Sequence, residues 1–289
     1  MNTIARKIIL ILCINLCLAV RALNCDVVYV VNLDSCSERL KKMEKQLNRL
    51  GIKFRRFRAV NGYDIKIVNA KTGRVEDNRS FHKTCDRNSE YWVSCERISF
   101  KYIPKHCPRM LCCGELGCAL SHLSIMQDIV RNNYRCAVVF EDDILFEGNF
   151  KNVLEKTLDH APHDVDVLFL DVGLCCANSD PYRADPGTLL ECFELLPRDN
   201  RYVVKLNGKP SVFGAHAYVL TLNGARKILQ NSRSLAWPID NHIIMDKRLS
   251  KYVARKKMLY INDEVSEIHK MGRGFTSLKN SVIAGGKQK

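Results

Sequence analysis

Three acids in a row, Glu141, Asp142 and Asp143, follow directly on the apolar run 136–140, and apolar residues resume at Ile144. Crowded carboxylates repel one another unless a cation lies among them, and oxygen-rich sites of this kind suit hard divalent ions such as Mg²⁺ or Mn²⁺. An acidic turn open to water tolerates the same charges by solvation, so the chemistry depends on where the triplet sits. The preceding run is apolar on both faces, which fits a strand inside a mostly parallel sheet covered by helices. Ligands of such sheets bind beyond the carboxyl ends of the strands.

The elements around the triplet can be read from hydrophobic period and turn residues. Residues 26–32 (DVVYVVN) read as a first buried strand, ended by the polar turn 32–35. Ser35 or Ser37 is positioned to cap a helix in which Leu40, Met43, Leu47 and Leu50 recur at helical spacing until Gly51. Residues 53–60 form a second strand closed by Asn61-Gly62. The right-handed crossover of such a βαβ unit brings Asn32 and Asp34 to the same sheet edge as the acids. A helix is predicted over 114–130, with Leu116, Leu120, Leu123 and Met126 on one face and the small Gly117, Cys118 and Ala119 allowing close approach to a neighbour.

Further on, 149–160 reads as a helix, 164–171 and 212–221 as strands, 222–230 and 238–249 as helices, and 257–261 as a last strand. The alternation implies one α/β layered domain over residues 23–271. Within it, 64–113 shows no clear period and is expected to be a Cys-rich insert, an elaborated loop or small subdomain held by disulfides. Residues 272–289, rich in Gly and Lys, are expected to form a flexible basic tail.

Arg6 and Lys7 precede a mostly apolar stretch over 8–20, and Val20-Arg21-Ala22 offers a cleavage site, so residues 1–22 read as a secretory signal peptide. The stretch is short of the roughly 20 residues of a comfortable bilayer span, so no stable membrane span is expected after cleavage, and a retained anchor is the alternative reading. Cleavage removes Arg6, Lys7 and Arg21 and no acid, taking the formal charge from +14 to +11. Such a chain attracts anionic partners or simply stays soluble. Nucleic acid is not expected, since no binding motif is present. Of the 14 cysteines, Cys13 and Cys17 leave with the signal, and the remaining even number fits disulfides formed in the lumen of the secretory pathway or after secretion; zinc is the rival for Cys85, Cys95, Cys107, Cys112 and Cys113, disfavoured because no paired Cys-x-x-Cys spacing occurs. Asn78-Arg79-Ser80 is an N-glycosylation acceptor sequence.

Four separated stretches carry a family resemblance: residues 27–62 (VVYVVNLDSCSERLKKMEKQLNRLGIKFRRFRAVNG), 114–130 (GELGCALSHLSIMQDIV), 137–146 (AVVFEDDILF), and 213–229 (FGAHAYVLTLNGARKIL) with Pro238-Ile239-Asp240. In this order, over about 26–245, they resemble glycosyltransferase family 25, which includes lipooligosaccharide and collagen hydroxylysine galactosyltransferases. The Cys-rich insert and the short C-terminus depart from the pattern. The resemblance implies a GT-A type, Rossmann-like α/β domain that uses a UDP-sugar and Mn²⁺ (or Mg²⁺) and inverts the anomeric carbon. The expected product is a hexose, galactose first, on a glycan or a collagen-like hydroxylysine hydroxyl. The alternative is a secreted, non-catalytic carbohydrate-binding protein that keeps the fold.

On that reading Asp142 and Asp143 hold the cation that neutralises the leaving diphosphate, and Glu141 is a neighbouring or sugar contact. Asp240 is the first candidate for the base that takes the acceptor proton, with a helix N-cap as its rival role, and Asp171 and Glu115 stand in reserve. Asn32, Asp34 and Arg39 match the family's first loop and are expected to meet the uridine, ribose or diphosphate. His122 is expected to brace the helix against the acids, His216 to be a satisfied core histidine, and His269 is a further candidate for closing over the cation.

Overall fold

The computed structural model describes residues 25–107, 109–174, 193–194, 200–206 and 212–262. The signal-peptide segment, the basic tail and His269 lie outside them. The chain opens with strand β1 (Val27–Asn32), helix α1 (Ser37–Arg49) and strand β2 (Arg55–Arg58). The insert follows, with β3 (Lys66–Asn69), the one-turn helix α2 (Phe81–Thr84), β4 (Tyr91–Ser94) and β5 (Ser99–Tyr102). Helix α3 (Cys113–Arg131) leads into β6 (Cys136–Glu141), β7 (Ile144–Phe146), α4 (Phe150–Asp159) and β8 (Val167–Phe169). Short strands β9 (Gly173–Leu174), β10 (Phe193–Glu194), β11 (Val203–Leu206) and β12 (Val212–Phe213) precede β13 (Ala217–Thr221). Helix α5 (Leu222–Asn231), β14 (Ser234–Leu235), α6 (Ile239–Met245), β15 (Lys251–Ala254) and β16 (Leu259–Ile261) complete the order.

The central sheet runs β10-β11-β15-β8-β13-β6-β1-β2. β1 pairs in parallel with β2 and β6, and β8 with β15, while β13 lies antiparallel between β6 and β8. β11 also runs against the main direction, so the sheet is mixed but mostly parallel. Apolar strands cover both faces, as parallel strands under helices require. Val30, Val138, Phe140 and Leu168 pack with Met43 and Leu47 of α1 and Phe150 of α4. Tyr29, Val139, Phe169 and Tyr218 join Leu116 and Leu120 of α3, Ala225 of α5 and Ile243 of α6.

Helix α3 is buried on nearly all sides, because the insert covers the flank that a surface helix leaves to water. A Cβ on Gly117 would stand 2.8 Å from Val60 O and Gly62 N, so the helix backbone rests on the Asn61-Gly62 turn, the close approach expected of its small residues.

Several local expectations change. The insert is not irregular: β3, β4 and β5 form an antiparallel sheet that β14 extends, and Ile67, Phe81, Tyr91, Phe100 and Tyr102 merge with the α3 core. This apolar packing joins the insert to the domain, and no disulfide is formed among the described residues. The 212–221 strand breaks at Gly214, whose φ of +111° is a glycine conformation, and its second half runs antiparallel. The helix predicted over 238–249 stops at Met245. Residues 251–254 then add an interior strand, masked in the sequence by the buried Lys251, whose Nζ donates to Asp246 O. The N-cap of α1 is Cys36, with no side-chain bond, in place of Ser35 or Ser37. No helix among the described residues is long and apolar enough to cross a membrane.

Candidate active site

The topology brings distant residues to one sheet edge. β1, β6 and β8 run in parallel, so Asn32, the acidic triplet and Asp171 lie at or just past their carboxyl ends. β13 runs the other way, so its beginning reaches that same edge and delivers Gly214, Ala215 and His216, with His216 O accepting from Glu141 N at 2.7 Å. The N-terminal half of α3 closes one flank. An open cleft results, lined by Arg39, Val60, Gly62, Cys118, His122 and the three acids.

The triplet divides its tasks. Asp142 is buried and both of its oxygens are taken: Asn32 Nδ2 donates to Oδ2 at 2.5 Å, and the Arg39 guanidinium pairs with Oδ1. Asn32 also donates to Cys36 O at 2.9 Å and accepts from Arg56 Nε at 3.0 Å, which ties the triplet to the first loop. Glu141 faces the opposite way. Its Oε1 lies 3.2 Å from His122 Nε2 and 4.0 Å from Cys118 Sγ, and its Oε2 lies 4.0 Å from His216 Nδ1. Burial pushes the Glu141 carboxyl up, but the hydrogen bond and charge of His122, with His216 and Arg39, outweigh it and hold the acid low.

Asp143 is left with a buried Oδ1 that has no hydrogen-bond partner. Burial and then the charge of Glu141 push its carboxyl up to about 6, against the pull of His216 and Arg39. An orphaned carboxylate oxygen beside a second ionised carboxylate is a fit for a hard divalent cation. The turn that presents it is clamped: Gln46 donates to Ile144 O at 3.2 Å and accepts from Phe146 N at 3.1 Å, while Asn262 N donates to Asp143 O at 2.7 Å.

The other candidates fall in different places. Asp240 is not an N-cap, a position held by Pro238; it lies in the first turn of α6, and its Oδ2 accepts from Gly214 N at 2.9 Å, steadying the loop that carries His216. Its charge reaches Cys118, as do those of Glu141, Glu115 and Asp143, all of which add to the effect of burial in raising that thiol well above its ordinary value. Glu115 is a buried anchor: it accepts from Cys112 N at 3.0 Å, closing the capping box of α3, and pairs with Arg109 at 2.6 Å. Asp34 is exposed and held by Arg56 at 2.5 Å and Arg58 at 2.7 Å. Asp171 is half-buried just past β8.

His216 is not the satisfied core residue expected. Its Nε2 is buried without a partner, and its ring fills the space a side chain on Gly214 would need. Periodicity alone could not show this, because only the antiparallel course of β13 takes His216 to the acids. His122 does brace α3, through Nδ1 2.8 Å from Tyr218 OH and Nε2 beside Glu141. The Asn78 amide donates to Ile65 O and Tyr63 O, at 2.5 and 3.0 Å.

A mixed α/β sheet with an acid-bearing cleft at its carboxyl edge belongs to the general class of α/β folds that bind ligands beyond their strand ends. Comparison narrows the class. The model of glycosyltransferase family 25 (LPS biosynthesis protein) matches residues 25–243, and the chain belongs to that family. It is 28% identical to procollagen galactosyltransferase 1-A of Xenopus laevis over 71% of this chain and 28% of that protein. It is 27% identical to a putative glycosyltransferase of Haemophilus influenzae over 75% of this chain and 62% of that one. A shorter region, 42% of the chain, is 33% identical to a probable inactive glycosyltransferase 25 family member 3 of Bos taurus, of which it covers 18%. The chain thus spans under a third of the length of the procollagen relatives it matches.

Proposed function

We propose that the chain is an inverting, GT-A type hexosyltransferase of the secretory pathway that moves galactose from a UDP-sugar to a hydroxyl of a glycan or a collagen-like hydroxylysine. The observation that carries this reading is the buried, partnerless Asp143 Oδ1 beside the ionised Glu141 in the cleft of a family 25 domain. The two carboxylates would hold Mn²⁺ or Mg²⁺, whose chemistry is to neutralise the charge that develops on a departing diphosphate. Asp142, tied to Asn32 and Arg39, supports the turn and leaves direct binding to its neighbours.

Asp240 is half-buried and holds the Gly214 turn that carries His216 to the acids, and we assign it the role of the carboxylate that takes the acceptor hydroxyl's proton. Arg39 supplies positive charge at the cleft wall for the donor's phosphates. A second reading, a non-catalytic sugar-binding protein, draws on the named inactive relatives. One screen separates them: UDP-sugars with Mn²⁺, read as donor hydrolysis and transfer. The transferase reading expects turnover that falls by about 10²–10⁴-fold in Asp240→Asn. Sugar binding with no turnover of any donor establishes the second.

A further inference from the structure

The thiol and imidazole beside Glu141 are unused by that reading, and they are a poor match for a hard cation. We propose that Cys118, His122 and Glu141 form a zinc site in the wall of the cleft. Cys118 and His122 are four apart on α3, so they share a face one turn apart, and β6 brings Glu141 against that face. One ligand atom from each residue lies within 4.8 Å of the others, with Nε2 to Oε1 at 3.2 Å and Sγ to Oε1 at 4.0 Å. A tetrahedral zinc ion with Zn–N, Zn–O and Zn–S bonds of about 2.0–2.3 Å separates its ligand atoms by roughly 3.3–3.7 Å, so closure asks for side-chain shifts of about 1 Å.

The surroundings complete the arrangement. Tyr218 OH, 2.8 Å from His122 Nδ1, orients the ring; when the hydroxyl accepts, Nε2 presents its lone pair to an ion. Three protein ligands leave a fourth position open, and all three residues line the cleft. Sulfur and imidazole favour zinc over manganese or magnesium, which prefer an all-oxygen set. Binding releases the thiol proton to solvent and involves no change of oxidation state. Because Glu141 serves both sites, zinc withdraws it from Asp143, and zinc and manganese exclude each other. Only this last consequence rests on the transferase reading; the site itself does not.

The test uses the full chain, stripped of metal with a chelator and kept reduced by a phosphine, with Co²⁺ as the spectroscopic probe. A thiolate-to-cobalt charge-transfer band, displaced by Zn²⁺, is expected in the wild type and absent from Cys118→Ser. Tyr218→Phe is expected to weaken Co²⁺ binding by about 10- to 100-fold. A second measurement needs no variant: Zn²⁺, and not Mn²⁺, should protect Cys118 from alkylation, read by peptide mass spectrometry. A band that survives in Cys118→Ser, no band in the wild type, or equal alkylation with and without Zn²⁺ overturns the proposal. Failure of every UDP-sugar to turn over leaves all of these readouts intact, so the two ideas fail separately.

Discussion

Replacing Asp143 by Asn should stabilise the metal-free protein. The carboxyl moves from 3.8 to about 6 on folding because burial and the neighbouring Glu141 disfavour its ionised form. The folded chain therefore holds its proton more tightly than the unfolded chain, and stability falls as pH rises through that window. At about 1.36 kcal/mol per pH unit, the ionised side chain costs roughly 3 kcal/mol above pH 6. Asn keeps the shape and removes the charge, so Asp143→Asn should gain up to about 3 kcal/mol at pH 7.5, or roughly 5–10 °C in melting temperature for a domain of this size. The gain should fade as pH falls from 6 towards 4. Melting with a chelator and with millimolar Mn²⁺ completes the assay: the cation should raise the wild type and leave the variant unmoved, while UDP-sugar turnover is lost in the variant. A variant less stable than wild type at pH 7.5, a gain independent of pH, or equal stabilisation of both proteins by Mn²⁺ refutes the reasoning.

The adjacent acid should respond with the opposite sign: Asp142→Asn removes the charge that Arg39 pairs with in a buried setting, and a loss of about 3–5 kcal/mol is expected in denaturant titrations. Gly117→Ala pushes a methyl group into Val60 O and Gly62 N, an overpacking cost of about 1–3 kcal/mol set against roughly 1 kcal/mol of helix propensity. Its KM for the donor should rise because the Val60–Gly62 wall of the cleft shifts, whereas Gly148→Ala, with nothing within 4 Å of the new atom, should be neutral in both measurements. Burial, helped by Arg248, lowers His242 from 6.5 to about 4 against the pull of Asp246. The unfolded chain then binds more protons between those values, and about 3 kcal/mol of stability drains away as pH falls from 6.5 to 4. His242→Gln should remove that slope in melts across the range.

Much of this protein follows from the sequence alone. The runs 26–32 and 136–140 are apolar on both faces, and such segments have few stable places other than the interior of a covered sheet; the period of 37–49 and 150–159 defines helices with one face to bury. The order of motifs gave the family, and three adjacent acids after a buried strand marked the cleft. What sequence could not divide was the triplet itself, because three neighbours have the same composition and differ only in what lies across from each. Tertiary structure sets Asn32 and Arg39 against Asp142, His122 and Cys118 against Glu141, and no hydrogen-bond partner against Asp143 Oδ1. It also reverses β13, which turns His216 from an interior strand residue into a neighbour of Glu141. Strand direction is chosen by long-range pairing and core packing, neither of which leaves a mark in local period, so the site's second half became legible only once the chain was folded.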